Sequence, residues 1–289
     1  MTIVRSPADR RGVLVYLALA FGLSWAPFLA VPFGADPAGL LFLMPVAPAI
    51  AAVVVRRWVT REGFGDAGLR PTTHGRWYLL AVTWPLASAV LAVSLALVLG
   101  VGPDSLDLPW GLVSPRPWQL LGWMAVSVLV APIILGEELG WRGYLQLRLF
   151  PERPRVAAVV VGVVWGVWHY PMILAGGQPI ENRGVTLLLF PVATTALSLL
   201  LGWLRVRTAS IWPGTLAHAA NNVTGSNLTA LAFTGSVSGE LGTSASVVIV
   251  LAEAILLTAV SAFGWRRASP TRLPAVRPAP PSADVHASG

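Results

Sequence analysis

Long blocks of apolar residues dominate this sequence, and they constrain its fold more than any other feature. The blocks lie at residues 13–33, 39–55, 77–101, 120–146, 156–175, 185–204, 209–226 and 245–264. A helix needs about 20 apolar residues to cross the hydrocarbon core of a bilayer, and several blocks reach that length. Charged residues make up 11% of the chain, against roughly 25% in a soluble domain. The sequence therefore predicts an all-α, polytopic membrane helical bundle of about eight transmembrane helices.

The arginines indicate how this bundle is oriented. If both termini are cytoplasmic, all of the 20 basic residues except Arg116 and Arg183 fall in cytoplasmic segments or, for Arg142, in the cytoplasmic half of a span, as the positive-inside rule requires. An odd number of helices would break this alternation. The net charge of +7 is accordingly explained by the orientation of the helices and by contact with anionic lipid rather than by binding of nucleic acid. We expect both termini in the cytoplasm, the lipid bilayer as a partner and no nucleic-acid partner.

Composition divides the chain into five segments. The first apolar run, about 21 residues, is longer than the roughly 7–15 residues of a signal peptide's apolar region, so we expect a retained helix. The segments are a cytoplasmic tail (1–12), helices 1–3 with an external loop at 102–117 (13–117), a core of helices 4–7 (118–226), an external loop with helix 8 (227–266), and a disordered, Pro-, Ala- and Arg-rich cytoplasmic tail (267–289). The Gly/Ser/Thr-rich stretch 225–244 is the predicted loop before helix 8.

Ionisable and amide side chains are rare inside the apolar blocks. They are costly in hydrocarbon, so they usually face a cavity or a partner and indicate a functional site. Cysteine is absent, which excludes thiol chemistry and Cys-ligated metal. The polar residues of interest are Glu137, Glu138 and Arg142 in the fourth block, His169 in the fifth, His218 and Asn222 in the seventh, and Glu253 in the eighth. Glu253 has no matching motif, and we expect it to pair with or pack against its neighbours.

Counting along the helices places the other groups at similar depths. Glu137 and His218 each lie 11 residues from a cytoplasmic arginine, or roughly 16 Å at the helical rise per residue. His169 and Asn222 lie at roughly 21–22 Å by the same count. The sequence therefore predicts that carboxylate, imidazole and amide groups from three helices share one layer of the bilayer.

Spacing within the helices assigns faces to these side chains. Glu138 and Arg142 are four residues apart, so they lie on one face and can form an ion pair. Glu137 lies about 100° further around the helix and points elsewhere. His218 and Asn222 share the same four-residue spacing and are expected to stack on one face.

These motifs, in this order, resemble those of the CPBP family of intramembrane proteases, which includes type II CAAX prenyl endopeptidases and bacterial bacteriocin-processing or Abi-type proteins. The family pattern is Glu-Glu-x-x-x-Arg, then aromatic-x-x-x-His, then His-x-x-x-Asn. The second motif here is Trp165 with His169, where the family usually has Phe. The resemblance covers roughly residues 120–225 and marks the segment 118–226 as a CPBP-like catalytic core.

The resemblance implies a set of roles. Glu137 would be the general base that activates water, assisted by His169, while His218 and Asn222 would stabilise the oxyanion. Glu138 and Arg142 would support them. The implied protein is an intramembrane glutamic endopeptidase without a cofactor, in the bacterial inner or plasma membrane. Its partner would be a membrane-associated peptide or protein substrate, with CAAX-type processing of a lipidated peptide as one candidate reaction.

Three alternatives stay open at this point. Glu137, His169 and His218 could ligate Zn²⁺ in a metal-dependent version of the same protease, although no His-Glu-x-x-His motif is present. The polar cluster could instead pack the helices of a non-catalytic immunity or scaffold protein. It could also form the relay of a small transporter.

Overall fold

The computed structural model describes residues 7–36, 40, 44–101, 115–176 and 180–267. These ranges are mainly helical and contain no β-strand; an isolated bridge joins Ile180 and Leu241. The helices are α1 (Pro7–Trp25), α2 (Val46–Val54), α3 (Gly75–Leu99), α4 (Pro117–Gly140), α5 (Pro154–Trp168), α6 (Tyr170–Leu174), α7 (Arg183–Thr208), α8 (Trp212–Ala220), α9 (Ser226–Thr234) and α10 (Thr243–Arg267). The predicted all-α bundle is confirmed.

Six helices of the described part are long and apolar enough to cross a membrane. They are Asp9–Phe33, Gly75–Leu99, Pro117–Arg148, Pro154–Leu174, Arg183–Thr208 and Thr243–Arg266, and each overlaps one predicted span. The predicted span 39–55 lies partly outside the described residues, and its described part falls on the shorter helical stretch 46–59. The predicted span 209–226 falls on the continuous helical stretch 212–234, whose Asn, Ser and Thr side chains lower its hydropathy. The total of eight spans and the cytoplasmic termini stay predictions.

The predicted external loop at 225–244 is helical over its first half. Helix α9 runs to Thr234 and ends at Gly235, which adopts a left-handed conformation with φ of 73°. The hydroxyl of Thr229 donates to the carbonyl of Gly225 at 3.0 Å, so a Thr-rich sequence is compatible with a helix there. Most of the predicted loop 102–117, the start of the N-terminal tail and nearly all of the C-terminal tail lie outside the described residues.

Glycines allow the central helices to approach each other closely. A Cβ atom on Gly136 of α4 would lie 2.4 Å from the carbonyl oxygen of Pro45, next to α2. A Cβ atom on Gly162 of α5 would lie 2.5 Å from the Cα of Thr195 in α7. Small residues are the usual means by which membrane helices pack backbone against backbone. These contacts fix the positions of α4 and α5, which carry the first two motifs.

A buried arginine network ties the segment 60–74 to the predicted cytoplasmic ends of the helices. Arg56 donates to Asp66 Oδ1 at 2.8 Å and to the carbonyl of Gly143 at 2.7 Å. Arg148 forms an ion pair with Glu62, and Arg205 donates to the backbone carbonyl of Asp66. All three arginine side chains are buried. They stabilise the tertiary structure. They are therefore not available to anionic lipid, which the sequence had suggested as a partner of the basic residues.

We expect Gly136→Ala to lower the free energy of unfolding by about 1–3 kcal/mol, because the added methyl group overpacks a backbone contact. Gly122→Ala in the same helix is the matched control, since a Cβ atom there meets nothing within 4 Å. Thermal unfolding in detergent would measure both. Equal unfolding midpoints for the two variants would contradict the close contact between α4 and the segment before α2.

Candidate active site

The motif residues surround one cavity of about 440 Å³. Helices α4, α5, α7, α8 and α10 contribute to its wall. Glu137, His169, His218 and Asn222 all line this cavity, so residues up to 85 positions apart in sequence share one site. The structure thus brings together the four residues that the sequence singled out for chemistry.

Glu137 presents its carboxylate to the cavity from α4. Its side chain is 4% exposed, and Oε2 accepts a hydrogen bond from Trp165 Nε1 at 2.8 Å. No described residue hydrogen-bonds Oε1, which leaves that oxygen available to water or substrate. The motif comparison had treated Trp165 only as an aromatic replacement for Phe. The structure shows that its indole N–H orients the candidate base, which a phenyl ring cannot do.

His169 lies at the break between α5 and α6. Its Nδ1 lies 2.8 Å from the backbone carbonyl oxygen of Trp165. Because a carbonyl oxygen only accepts, Nδ1 carries the hydrogen, and in the neutral ring Nε2 keeps its lone pair. The ring is held between Trp168 and Phe190, with ring centroids at 4.8 Å and 4.9 Å. His169 is therefore rigidly placed with a basic nitrogen left free.

Glu138, Arg142 and His218 form a buried, hydrogen-bonded triad. Glu138 Oε1 accepts from Arg142 Nη1 at 2.9 Å and lies 3.0 Å from His218 Nδ1. The predicted pair of Glu138 with Arg142 is therefore present. Since Arg142 balances the charge of Glu138, the carboxylate accepts and His218 Nδ1 donates. This hydrogen bond leaves Nε2 as the nitrogen of His218 that is free for chemistry.

The third motif ends in a π-helical turn. The turn Asn221–Gly225 follows α8, and π turns occur frequently at functional sites. The sequence had placed Asn222 on a regular helix with His218. Asn221 and Asn222, at the start of this turn, both line the cavity, and Asn221 Nδ2 donates to Asn222 Oδ1 at 3.4 Å. Sequence reasoning missed Asn221, although the Asn-Asn doublet was visible.

Glu253 lies on α10, outside the three motifs. It lines the same cavity from α10, and it makes no hydrogen bond or ion pair with any described residue. The expected pairing with a neighbour is absent there. This second cavity carboxylate is not explained by the three motifs.

The fit to a metal ion is limited by the arrangement of the side chains. Within residues 7–36, 40, 44–101, 115–176 and 180–267, no three Asp, Glu or His side chains cluster closely enough to hold a metal ion. The free Nε2 atoms of His169 and His218 are nevertheless the atoms that histidine most often offers to a metal. A chelation experiment therefore decides whether activity depends on a metal ion.

Residues 117–224 match the family model described as Rce1-like, type II CAAX prenyl endopeptidase Rce1-like. This part of the chain is similar to the Rce1-like family. The Rce1-like segment runs from the start of α4 into the π turn and contains all three motifs, so it confirms the resemblance that they indicated. A search of the curated proteins found no match to the chain. With the six apolar helices, the match makes this chain a multi-pass membrane protein with a CAAX-type protease domain.

We expect Trp165→Phe to leave the Rce1-like segment folded but to lower the free energy of unfolding by about 1.5–3 kcal/mol, the range for a hydrogen bond to a charged group. The cost should be smaller in a Glu137→Gln background, because the acceptor has lost its charge. Chemical or thermal unfolding of the four proteins in one double-mutant cycle measures this difference.

Trp118→Phe is the control for aromatic truncation, since Trp118 is 63% exposed at the start of α4. We expect this variant to unfold at nearly the wild-type midpoint. If Trp165→Phe lowers the free energy of unfolding equally in the wild-type and Glu137→Gln proteins, the hydrogen bond to the Glu137 carboxylate does not contribute to stability.

Proposed function

We propose that this protein is an intramembrane endopeptidase that hydrolyses a peptide bond with water activated by Glu137. The observation that carries the proposal is the convergence of Glu137, His169, His218 and Asn222 on one cavity. They come from α4, the end of α5, α8 and the π turn after it. The similarity of the 117–224 segment to the Rce1-like family supports the same reaction class.

The base would be Glu137 with His169 beside it. Glu137 is oriented by Trp165 and keeps one carboxylate oxygen free, while His169 offers the lone pair of Nε2. A water molecule between such acceptors can lose a proton to the carboxylate as its oxygen attacks the substrate carbonyl carbon. The proton then passes to the amide nitrogen, the C–N bond breaks, and the new amine leaves.

The oxyanion would be stabilised by His218 and Asn222. Because His218 Nδ1 is committed to Glu138, the ring can donate from Nε2 only as an imidazolium. The Glu138 carboxylate accepts the Nδ1–H at 3.0 Å, which orients the ring. The amide of Asn222, which lies at an exposed part of the cavity wall, would supply a second donor for the developing negative charge. Glu138 and Arg142 thus act through His218 rather than on the substrate.

The rest of the cavity wall suits a membrane-associated peptide or protein. Apolar side chains such as Leu189, Phe190, Ile249 and Val250 line it beside the polar groups. We therefore propose that the substrate reaches the site from the bilayer, as a CAAX-type lipidated peptide would. The proposed setting is the bacterial inner or plasma membrane, with no nucleic-acid partner.

We expect Glu137→Gln to reduce peptide hydrolysis by at least about 100-fold, the effect typical of losing a general base. The purified protein in nanodiscs would be incubated with lipidated and unlipidated peptides, and products would be read by mass spectrometry. Glu152→Gln is the control, because Glu152 is exposed outside the cavity. A folded Glu137→Gln protein with wild-type hydrolysis would overturn the assignment of the base, and identical phenotypes in cells would favour a non-catalytic role.

We expect activity to persist in a strong chelator such as 1,10-phenanthroline, since the proposed reaction uses carboxylate and imidazole groups alone. The rate of hydrolysis with and without chelator is the measurement. Loss of activity that added Zn²⁺ restores would instead assign Glu137, His169 and His218 as metal ligands.

A further inference from the structure

We propose that Glu253 is a specificity-determining residue that binds a cationic group of the substrate. The proposal rests on the proposed peptidase function and concerns the same cavity. It assigns the substrate class more narrowly, as peptides with a lysine or arginine close to the cleaved bond.

The position of Glu253 is the first observation that supports this proposal. Glu253 lies in the middle of α10, outside the matched segment 117–224, yet its side chain lines the cavity that contains Glu137. Ser246, Ile249 and Val250 line the cavity from the same helix. They precede Glu253 at helical spacing, so one face of α10 forms a wall of the site. A residue on that wall can contact substrate without belonging to the three motifs.

The second support is the charge balance of the cavity. Its described wall contains two carboxylates, Glu137 and Glu253, two imidazoles, His169 and His218, and no arginine. The nearest motif cation, Arg142, is bound to Glu138 and does not line the cavity. Glu253 itself makes no ion pair or hydrogen bond with the described chain. An acidic side chain within a membrane helix is costly without a partner, and here the described part of the protein supplies none.

A basic side chain of the substrate would satisfy this requirement. An ammonium or guanidinium group would pair with the Glu253 carboxylate in a surrounding of low polarity, where charge-assisted hydrogen bonds are strong. An acidic side chain at the same substrate position would be repelled. The cavity would therefore select peptides by charge on the side of α10, while hydrolysis is performed at Glu137.

The test uses one peptide sequence in which lysine, norleucine or glutamate is placed in turn at each of three positions on either side of the cleaved bond. We expect the wild-type protein in nanodiscs to show a kcat/KM at least about tenfold higher for lysine than for norleucine at one position. Glu253→Gln should lose this preference, so that the ratio of kcat/KM for lysine to that for norleucine falls to about one. Glu253→Lys should prefer glutamate at that position. A lysine preference that survives in Glu253→Gln, or an unchanged preference in Glu253→Lys, overturns the proposal.

Binding of the same peptides to Glu137→Gln protein, measured by fluorescence anisotropy, separates this proposal from the proposed function. If the wild type cleaves the peptides without a charge preference, the peptidase function is supported and the proposed role of Glu253 is wrong. If binding depends on charge and Glu253→Gln abolishes that dependence, but the wild type cleaves none of the peptides, the cation site is supported and the peptidase function is wrong. Absence of charge dependence in both measurements overturns the role of Glu253.

Discussion

The site depends on one buried carboxylate. Glu138 Oε1 accepts from Arg142 and from His218, and so it joins α4 to α8 across the bundle. A buried charge without a partner is strongly destabilising, so α4 and α8 must meet at this point. The contact also fixes the tautomer of His218 and leaves Nε2 as its functional nitrogen. Glu138 touches neither water nor substrate in the proposed reaction, yet it determines which nitrogen of His218 is free for chemistry.

Trp165 extends this arrangement to the second motif. Its ring packs against the Arg142 guanidinium at 4.5 Å and against His218 at 4.8 Å. Its indole N–H holds Glu137, and its backbone carbonyl accepts from His169. One residue therefore contacts groups from all three motifs. Close packing at Gly162 brings α5 against α7 and so helps to hold Trp165 beside the residues of the other two motifs.

The two carboxylates of the first motif have separate environments although they are adjacent in sequence. Glu138 is neutralised by Arg142 and turned away from the cavity, whereas Glu137 receives a single indole donor and faces it. The angular offset of about 100° between neighbouring helical residues is sufficient to produce this difference. Glu253 adds a third environment, in which a carboxylate faces the cavity with no partner among the described residues. The same functional group therefore occupies three different environments within one bundle.

The sequence alone determined that the chain is a helical membrane bundle, because long apolar blocks exclude water as the solvent. It also identified the candidate residues and predicted a shared depth for them, since polar groups are rare in such blocks and helical rise is constant. Local spacing was sufficient for the pair of Glu138 with Arg142. The tertiary structure alone decided that His218 is bound to Glu138, that Trp165 orients Glu137, that Asn221 joins the wall, and that Glu253 faces the cavity unpaired. It also decided that Arg56, Arg148 and Arg205 are buried in ion pairs and polar contacts. These features depend on which faces of distant helices meet, and that is set by close packing at small residues rather than by periodicity within any one helix.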